Sequence, residues 1–314
     1  MSPNADVALQ PVGWWWWIAL TLMAASAQTA RNAMQKGLTT TLGTVGATLV
    51  RFLFGLPFAA LSLCAVTFFS GAALPRISGV FVLWVALGAL TQVAATALML
   101  AAMRQRSFVV ATAYVKTEAV QVALFGLIFL SERLSVAAVI AIVTATAGVL
   151  IMSWPRGAQA AGPFSWRPVV MGLLAGSFFA ASAVGFKGAI VSLGAGGTGS
   201  GYFVMDATFT LVCGLLLQTV LLTAGQALQN RRVLIAMLHA WRPSLLAGFM
   251  GALASQMWFL AFAIATTAHV RTLALVEIVF AQVLSRRLFS QHTSAAEIIG
   301  IVLVLGGTFL LINA

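Results

Sequence analysis

Residues 116–135 read KTEAVQVALFGLIFLSERLS, and residues 275–294 read LVEIVFAQVLSRRLFSQHTS. Set side by side at the separation of Glu118 and Glu277, the two stretches align without a gap. Ser131-Glu132-Arg133-Leu134-Ser135 then meets Ser290-Gln291-His292-Thr293-Ser294, and farther on Gly148 meets Gly307. Earlier in each half, ASAQTARNA (25–33) echoes ASAVGFKGA (181–189), which pairs Arg31 with Lys187, and LGAL (87–90) echoes MGAL (250–253). A chain that repeats itself in this order is built from two related halves.

Composition says where those halves sit. Of 314 residues, 61% are hydrophobic and 7% charged, against about a quarter charged in soluble domains. Mean hydropathy is +1.03. The formal charge of +11 could suggest nucleic acid. Its Lys and Arg residues, however, stand singly between apolar runs, as they do at the flanks of membrane helices. Cys64 and Cys213 lie within apolar runs and are expected to be packing residues.

A helix needs about 20 apolar residues to cross a hydrocarbon core. Ten such spans are expected, near 14–34, 43–69, 77–101, 108–130, 135–153, 168–191, 200–224, 243–264, 268–289 and 294–312. The expected fold is therefore an all-α integral membrane protein with ten transmembrane helices in two five-helix repeats. Residues 1–153 form the first repeat, the proline-bearing 154–167 a linker, and 168–314 the second. An odd number of spans per half inverts one copy relative to the other, a plan that places a substrate site between the repeats near the midplane. The start resembles a signal peptide but has no Lys or Arg before the tryptophan cluster Trp14–Trp17, so it is read as a retained first span. Loop cations gather on one side, Lys36, Arg104, Arg167, Arg231 and Arg286 among them, while Arg76 and Arg133 lie on the other. That bias predicts periplasmic termini.

Polar residues inside spans are the informative ones, because a charge at the bilayer centre is disfavoured by roughly 2.5–3.5 kcal/mol. Trp17, Thr21, Ala24, Gln28 and Asn32 form one stripe of the first span, and Gln92, Thr96, Met99 and Met103 one of the third. Gln256 and Trp258 mark the eighth span and Ser177 the sixth. Such stripes suit either a cavity for small, partly apolar molecules or interhelical hydrogen bonding. Gly172 and Gly176 suit close helix packing. Lys187 and Asp206 are expected to pair with each other, and Arg51 either meets an acid from elsewhere or attracts an anionic group. Lys116 and Glu118, two residues apart, would point about 200° from each other on a regular helix and so should not pair. Lys116, matched by Leu275 in the other half, leans toward a cavity. Glu118 and Glu277 suit architecture or transport equally.

The glycine loop 194–201 contains a G-x-G-x-x-G pattern, but it joins two membrane helices rather than a strand and a helix and is read as a plain loop. No metal-binding or nucleophilic motif is recognisable, so neither cofactor nor enzyme is expected.

The ten spans, the glutamate in spans four and nine and the SERLS turn together resemble the drug/metabolite transporter superfamily, EamA type. The carried-over positions are Glu118 and Glu132, with Glu277 as the second copy; Gln291 departs from the pattern. The likeness extends to the branch that exports aromatic amino acids. It implies a bacterial inner-membrane secondary carrier that exports aromatic and other neutral amino acids through a central cavity between the repeats, by alternating access. Lipid is its surrounding partner, and a monomer suffices. The alternative is a drug or organic-cation effluxer that exchanges protons at a membrane glutamate. The expected substrate-binding set is Trp17, Gln28, Asn32, Gln92, Met99, Lys116, Glu118, Ser177, Gln256, Trp258 and Glu277.

Overall fold

The computed structural model describes residues 15–105, 108–132, 134–152, 166–195, 202–280, 283 and 295–312. The linker 154–165, the glycine loop 196–201 and the second turn 290–294 lie outside the described residues. The helices are α1 Trp16–Leu53, α2 Leu56–Ser70, α3 Gly79–Gln105, α4 Phe108–Lys116, α5 Glu118–Leu130, α6 Val136–Met152, α7 Trp166–Ala195 and α8 Phe203–Gln229. They continue with α9 Arg231–His239, α10 Trp241–Ile264, α11 Thr267–Leu273, a 3-10 turn Ala274–Val276 and α12 Ala295–Ile312. No strand occurs among the described residues.

The described chain holds 5 helical segments long and apolar enough to cross a membrane. Many large apolar side chains face outward, Phe68, Leu83, Ile128, Val136 and Phe309 among them. In water such a surface would drive aggregation; against lipid tails it is matched. The protein is a multi-pass, all-α membrane protein.

The first of these segments runs Trp16–Ser70, 55 residues, which as one straight helix would be about 80 Å long, far beyond a ~30 Å core. It is not straight. Gly43 has φ 68° and ψ 177°, a conformation open to glycine and little else. Across it the Gln35 amide donates to the Ala47 carbonyl at 2.7 Å, although twelve residues of continuous helix would separate them by about 18 Å. The chain therefore turns back at Gly43, where the sequence predicts a span boundary. A second break, at Phe54–Gly55, was not expected. Pro57 opens α2, and its missing N–H and fixed φ end the preceding helix. The tryptophan cluster also divides: Trp15 and Trp16 are exposed, whereas Trp17 is buried.

A single fourth span, 108–130, is also corrected. Thr117 interrupts it, so that α4 ends at Lys116 and α5 starts at Glu118. The Thr117 hydroxyl donates to the Tyr114 carbonyl at 2.8 Å, and the displaced backbone lies on α7 at Gly176, where an added Cβ would sit 2.9 Å from the Val115 carbonyl. The Gly172–Gly176 pair thus serves close packing. In the ninth span the 3-10 turn Ala274–Val276 stands immediately before Glu277. The stretch 225–243, expected to be a connection, contains the short helix α9, with Arg231 and Arg232 exposed and Met237 buried.

The most extensive helix pairs are α3 with α7, α1 with α10, and α6 with α12. In the last, a Cβ on Gly148 would meet the Gly300 carbonyl at 2.7 Å and Val304 at 2.9 Å, and one on Gly307 would meet the Ala141 carbonyl and Ala145 at 2.8 Å. Backbones that close leave no room for side chains. Gly307→Val is therefore expected to destabilise the protein by about 1–3 kcal/mol through overpacking. Gly306→Val, where no atom lies within 4 Å of an added Cβ, should leave the detergent melting temperature unchanged. Equal melting temperatures for the two variants would contradict this packing.

Candidate functional site

The stripes recognised in the sequence do face inward. Trp17, Thr21, Ala24, Gln28 and Asn32 of α1 and Gln92, Thr96, Met99 and Met103 of α3 are all buried. Where α1, α3, α7, α10 and α11 converge they enclose a cavity lined by Gln28, Arg51, Gln92, Ser255 and Arg271 and by the rings of Phe179, Phe186, Trp258, Phe259 and Phe262. Its free space is about 10 Å³, roughly that of one water molecule, so the structure is closed around it.

Beside the cavity lies a network of buried charges. The Lys116 ammonium is 2.8 Å from Glu277 Oε2 and 3.6 Å from Glu118 Oε1. This corrects the expectation that Lys116 and Glu118 do not pair: both side chains reach one buried point where Glu277 and Arg271 also converge, although Thr117 between them keeps near-helical dihedrals (φ −61°, ψ −10°). Glu118 also lies 3.5 Å from Arg271, and Glu277 accepts from the Gln28 amide at 2.8 and 3.0 Å. The Gln28 carbonyl oxygen in turn accepts from the Trp258 indole at 3.0 Å. Arg271 stacks over Trp258 at 4.7 Å and Phe262 at 5.3 Å, a cation–π arrangement that helps offset its desolvation.

Of the predicted set, Gln28, Gln92 and Trp258 line the cavity, and Lys116, Glu118 and Glu277 form the adjoining ion network. The others serve elsewhere. Asn32 Oδ1 accepts from Arg31 at 2.6 Å, and Met99 packs with Leu38, Val50 and Met103. Trp17 stands edge-on to His269 at 6.1 Å. Gln256 donates to Thr208 at 2.8 Å, tying α10 to α8. Ser177 is a correction: half-buried on α7 and not among the residues that line the cavity, it donates to the Leu173 carbonyl of its own helix at 3.2 Å. Lys187, expected beside Asp206, instead donates to the carbonyls of Phe262 and Ala265 at the end of α10, groups left free where that helix stops.

Arg271 is the chief residue missed. It stands near the start of a predicted span, where cations ordinarily mark the flank, and only the fold carries it inward. Of the aromatic lining, Trp258 was predicted, whereas Phe179, Phe186 and Phe262 were missed because Phe is common throughout this chain. Arg51 does line the cavity; it donates to Thr96 at 3.1 Å. Glu132, from the turn of the first half, binds the second half: it accepts from the Thr267 N–H at 3.0 Å and its hydroxyl at 2.7 Å, capping α11.

Among the described residues no group of His, Cys, Asp or Glu could hold a metal ion, and Cys64 and Cys213 are free thiols. Gln28 joins Glu277 to Trp258, so Gln28→Leu would strand two buried groups at once. A loss of about 1–3 kcal/mol is expected, read as a lower melting temperature in detergent, and an unchanged value would contradict the network.

No family model and no curated protein matches the chain. Among solved structures, 25 chains match. One, a crystal structure of a protein, superposes with a TM-score of 0.64 at 14% identity, over 93% of this chain and 95% of its own. At that identity the likeness concerns the fold alone.

Proposed function

We propose that the protein is a secondary carrier of the drug/metabolite transporter kind, EamA type, rather than an enzyme. In this reading it moves small carboxylate-bearing solutes with an apolar body, amino acids among them, across a bacterial inner membrane. The observation that carries it is the closed cavity with guanidinium, amide and aromatic walls, drawn from both halves of the chain and set beside broken helices. Broken helices with buried charges next to a cavity are the usual construction of a carrier's midplane site.

The packing supports ten spans in two inverted repeats. If the halves are exchanged, α1 takes the place of α7 and α3 that of α10, so the α1–α10 and α3–α7 pairs map onto each other. The contact of Gly148 with Gly300 and Val304 becomes that of Gly307 with Ala141 and Ala145, because each residue stands where its counterpart does. Such reciprocity is the mark of a two-fold relation. The breaks at Thr117 and at Ala274–Val276 likewise occupy equivalent places, each directly before a glutamate.

Export by alternating access follows if the halves rock about the cavity, which here has room for about one water molecule and must widen to admit a solute. The loop cations favour periplasmic termini, and one chain with two halves suffices as a monomer. The organic-cation alternative is disfavoured, since Arg51 and Arg271 line the cavity and both membrane glutamates already bind protein cations.

Counterflow in proteoliposomes, with labelled phenylalanine, leucine and their 2-hydroxy analogues, tests the carrier reading. Exchange of at least one above protein-free liposomes is expected; exchange of none overturns it.

A further inference from the structure

The charges around the cavity do not balance. Arg31, Arg51, Lys116 and Arg271 are buried here against the carboxylates of Glu118 and Glu277. The two acids are shared by Lys116 and Arg271, whereas Arg31 binds the neutral Asn32 and Arg51 the neutral Thr96. Neither Arg31 nor Arg51 has a carboxylate within ion-pair distance among the described residues. The two run side by side over α10 at Gly251, where an added Cβ would lie 3.3 Å from Arg31 Cδ and 3.4 Å from Arg51 Cγ.

Their hydrogen-bonding capacity is also unspent. Arg31 Nη1, Arg51 Nε and Arg271 Nε are buried with no partner, and leaving such donors unpaired in a low-dielectric interior is unfavourable by several tenths to a few kcal/mol each. Two of the three residues line the cavity, and no described lining residue is an acid. An incoming carboxylate would find two forked cationic donors. An incoming ammonium would find the amides of Gln28 and Gln92, the Ser255 hydroxyl and the faces of aromatic rings, but no carboxylate, and it would meet the like charges of Arg51 and Arg271.

Resting on the proposal that this cavity is the transport site, we infer that it selects organic anions: aromatic or similarly apolar monocarboxylates that lack a free ammonium group, in preference to the zwitterionic amino acids of the same shape. The carboxylate would sit between Arg51 and Arg271, and the apolar body against Phe179, Phe186 and Phe259. The cargo's carboxylate then halves the excess of two positive charges, and a zwitterion, carrying no net charge, cannot do this.

Three probes that share one ring separate the contributions: 3-phenyllactate, phenylalanine and phenylalaninol. Their binding to the purified full chain in lipid nanodiscs at pH 7.5 is to be measured by calorimetry. Phenyllactate should bind at least about tenfold more tightly than phenylalanine, the difference expected when a buried ammonium lacks an acceptor of opposite charge, and phenylalaninol should not bind. Arg51→Gln, with an unchanged melting temperature, should lower phenyllactate affinity by at least about tenfold; a variant that melts early is replaced by Arg51→Lys, expected to keep part of it. Phenylalanine binding as tightly as phenyllactate overturns the inference and leaves the carrier reading standing. Binding of none of the three also overturns it, and the counterflow panel decides the carrier reading separately.

Discussion

A lysine ammonium held between two carboxylates joins the two halves of this protein. Lys116 lies 2.8 Å from Glu277 of the second half and 3.6 Å from Glu118 of its own, with every partner almost wholly buried. At an effective dielectric constant near 20, opposite charges about 4 Å apart attract by roughly 4 kcal/mol, comparable to the cost of placing one charge in the membrane. The three groups are tolerable together and not singly.

One wall of the cavity is tied to that contact. Glu277 orients Gln28, Gln28 orients the Trp258 indole, and Trp258 supports the Arg271 guanidinium, which returns to Glu118. The ring runs through α1, α4, α5, α10 and α11 together with Glu277. A second link, Glu132 on the N-terminus of α11, binds the halves again at another level. In the proposed carrier, a movement that opens the cavity on one side would have to break or rotate one of these links.

Much of this was legible in the sequence. Helical periodicity placed the inward stripes of α1 and α3 correctly, since burial in a membrane bundle follows from which face carries polar groups. The expected start of the second span, near residue 43, coincides with the turn at Gly43. What periodicity could not reveal was where a helix stops being regular. The stretch YVKTEAV (114–120) holds neither proline nor glycine, so neither the interruption at Thr117 nor the Lys116–Glu118 pair is signalled there, and the close approach of Gly176 comes from a distant helix. Arg271 was hidden for a related reason. A cation near a predicted span end resembles an interfacial anchor, and only the turn from α10 into α11 carries it into the core. Ser177 shows the reverse: a polar residue in a span satisfied by its own helix, with no site behind it.

The central claim is that Lys116 and Glu277 hold the halves together through direct contact. A double-mutant cycle on detergent-solubilised protein tests it most directly, with Lys116→Met, Glu277→Gln and the double variant unfolded under the same conditions. The account predicts a coupling energy of at least about 1 kcal/mol, the double variant being more stable than the two single losses added together. Additive losses, with coupling indistinguishable from zero, would contradict it.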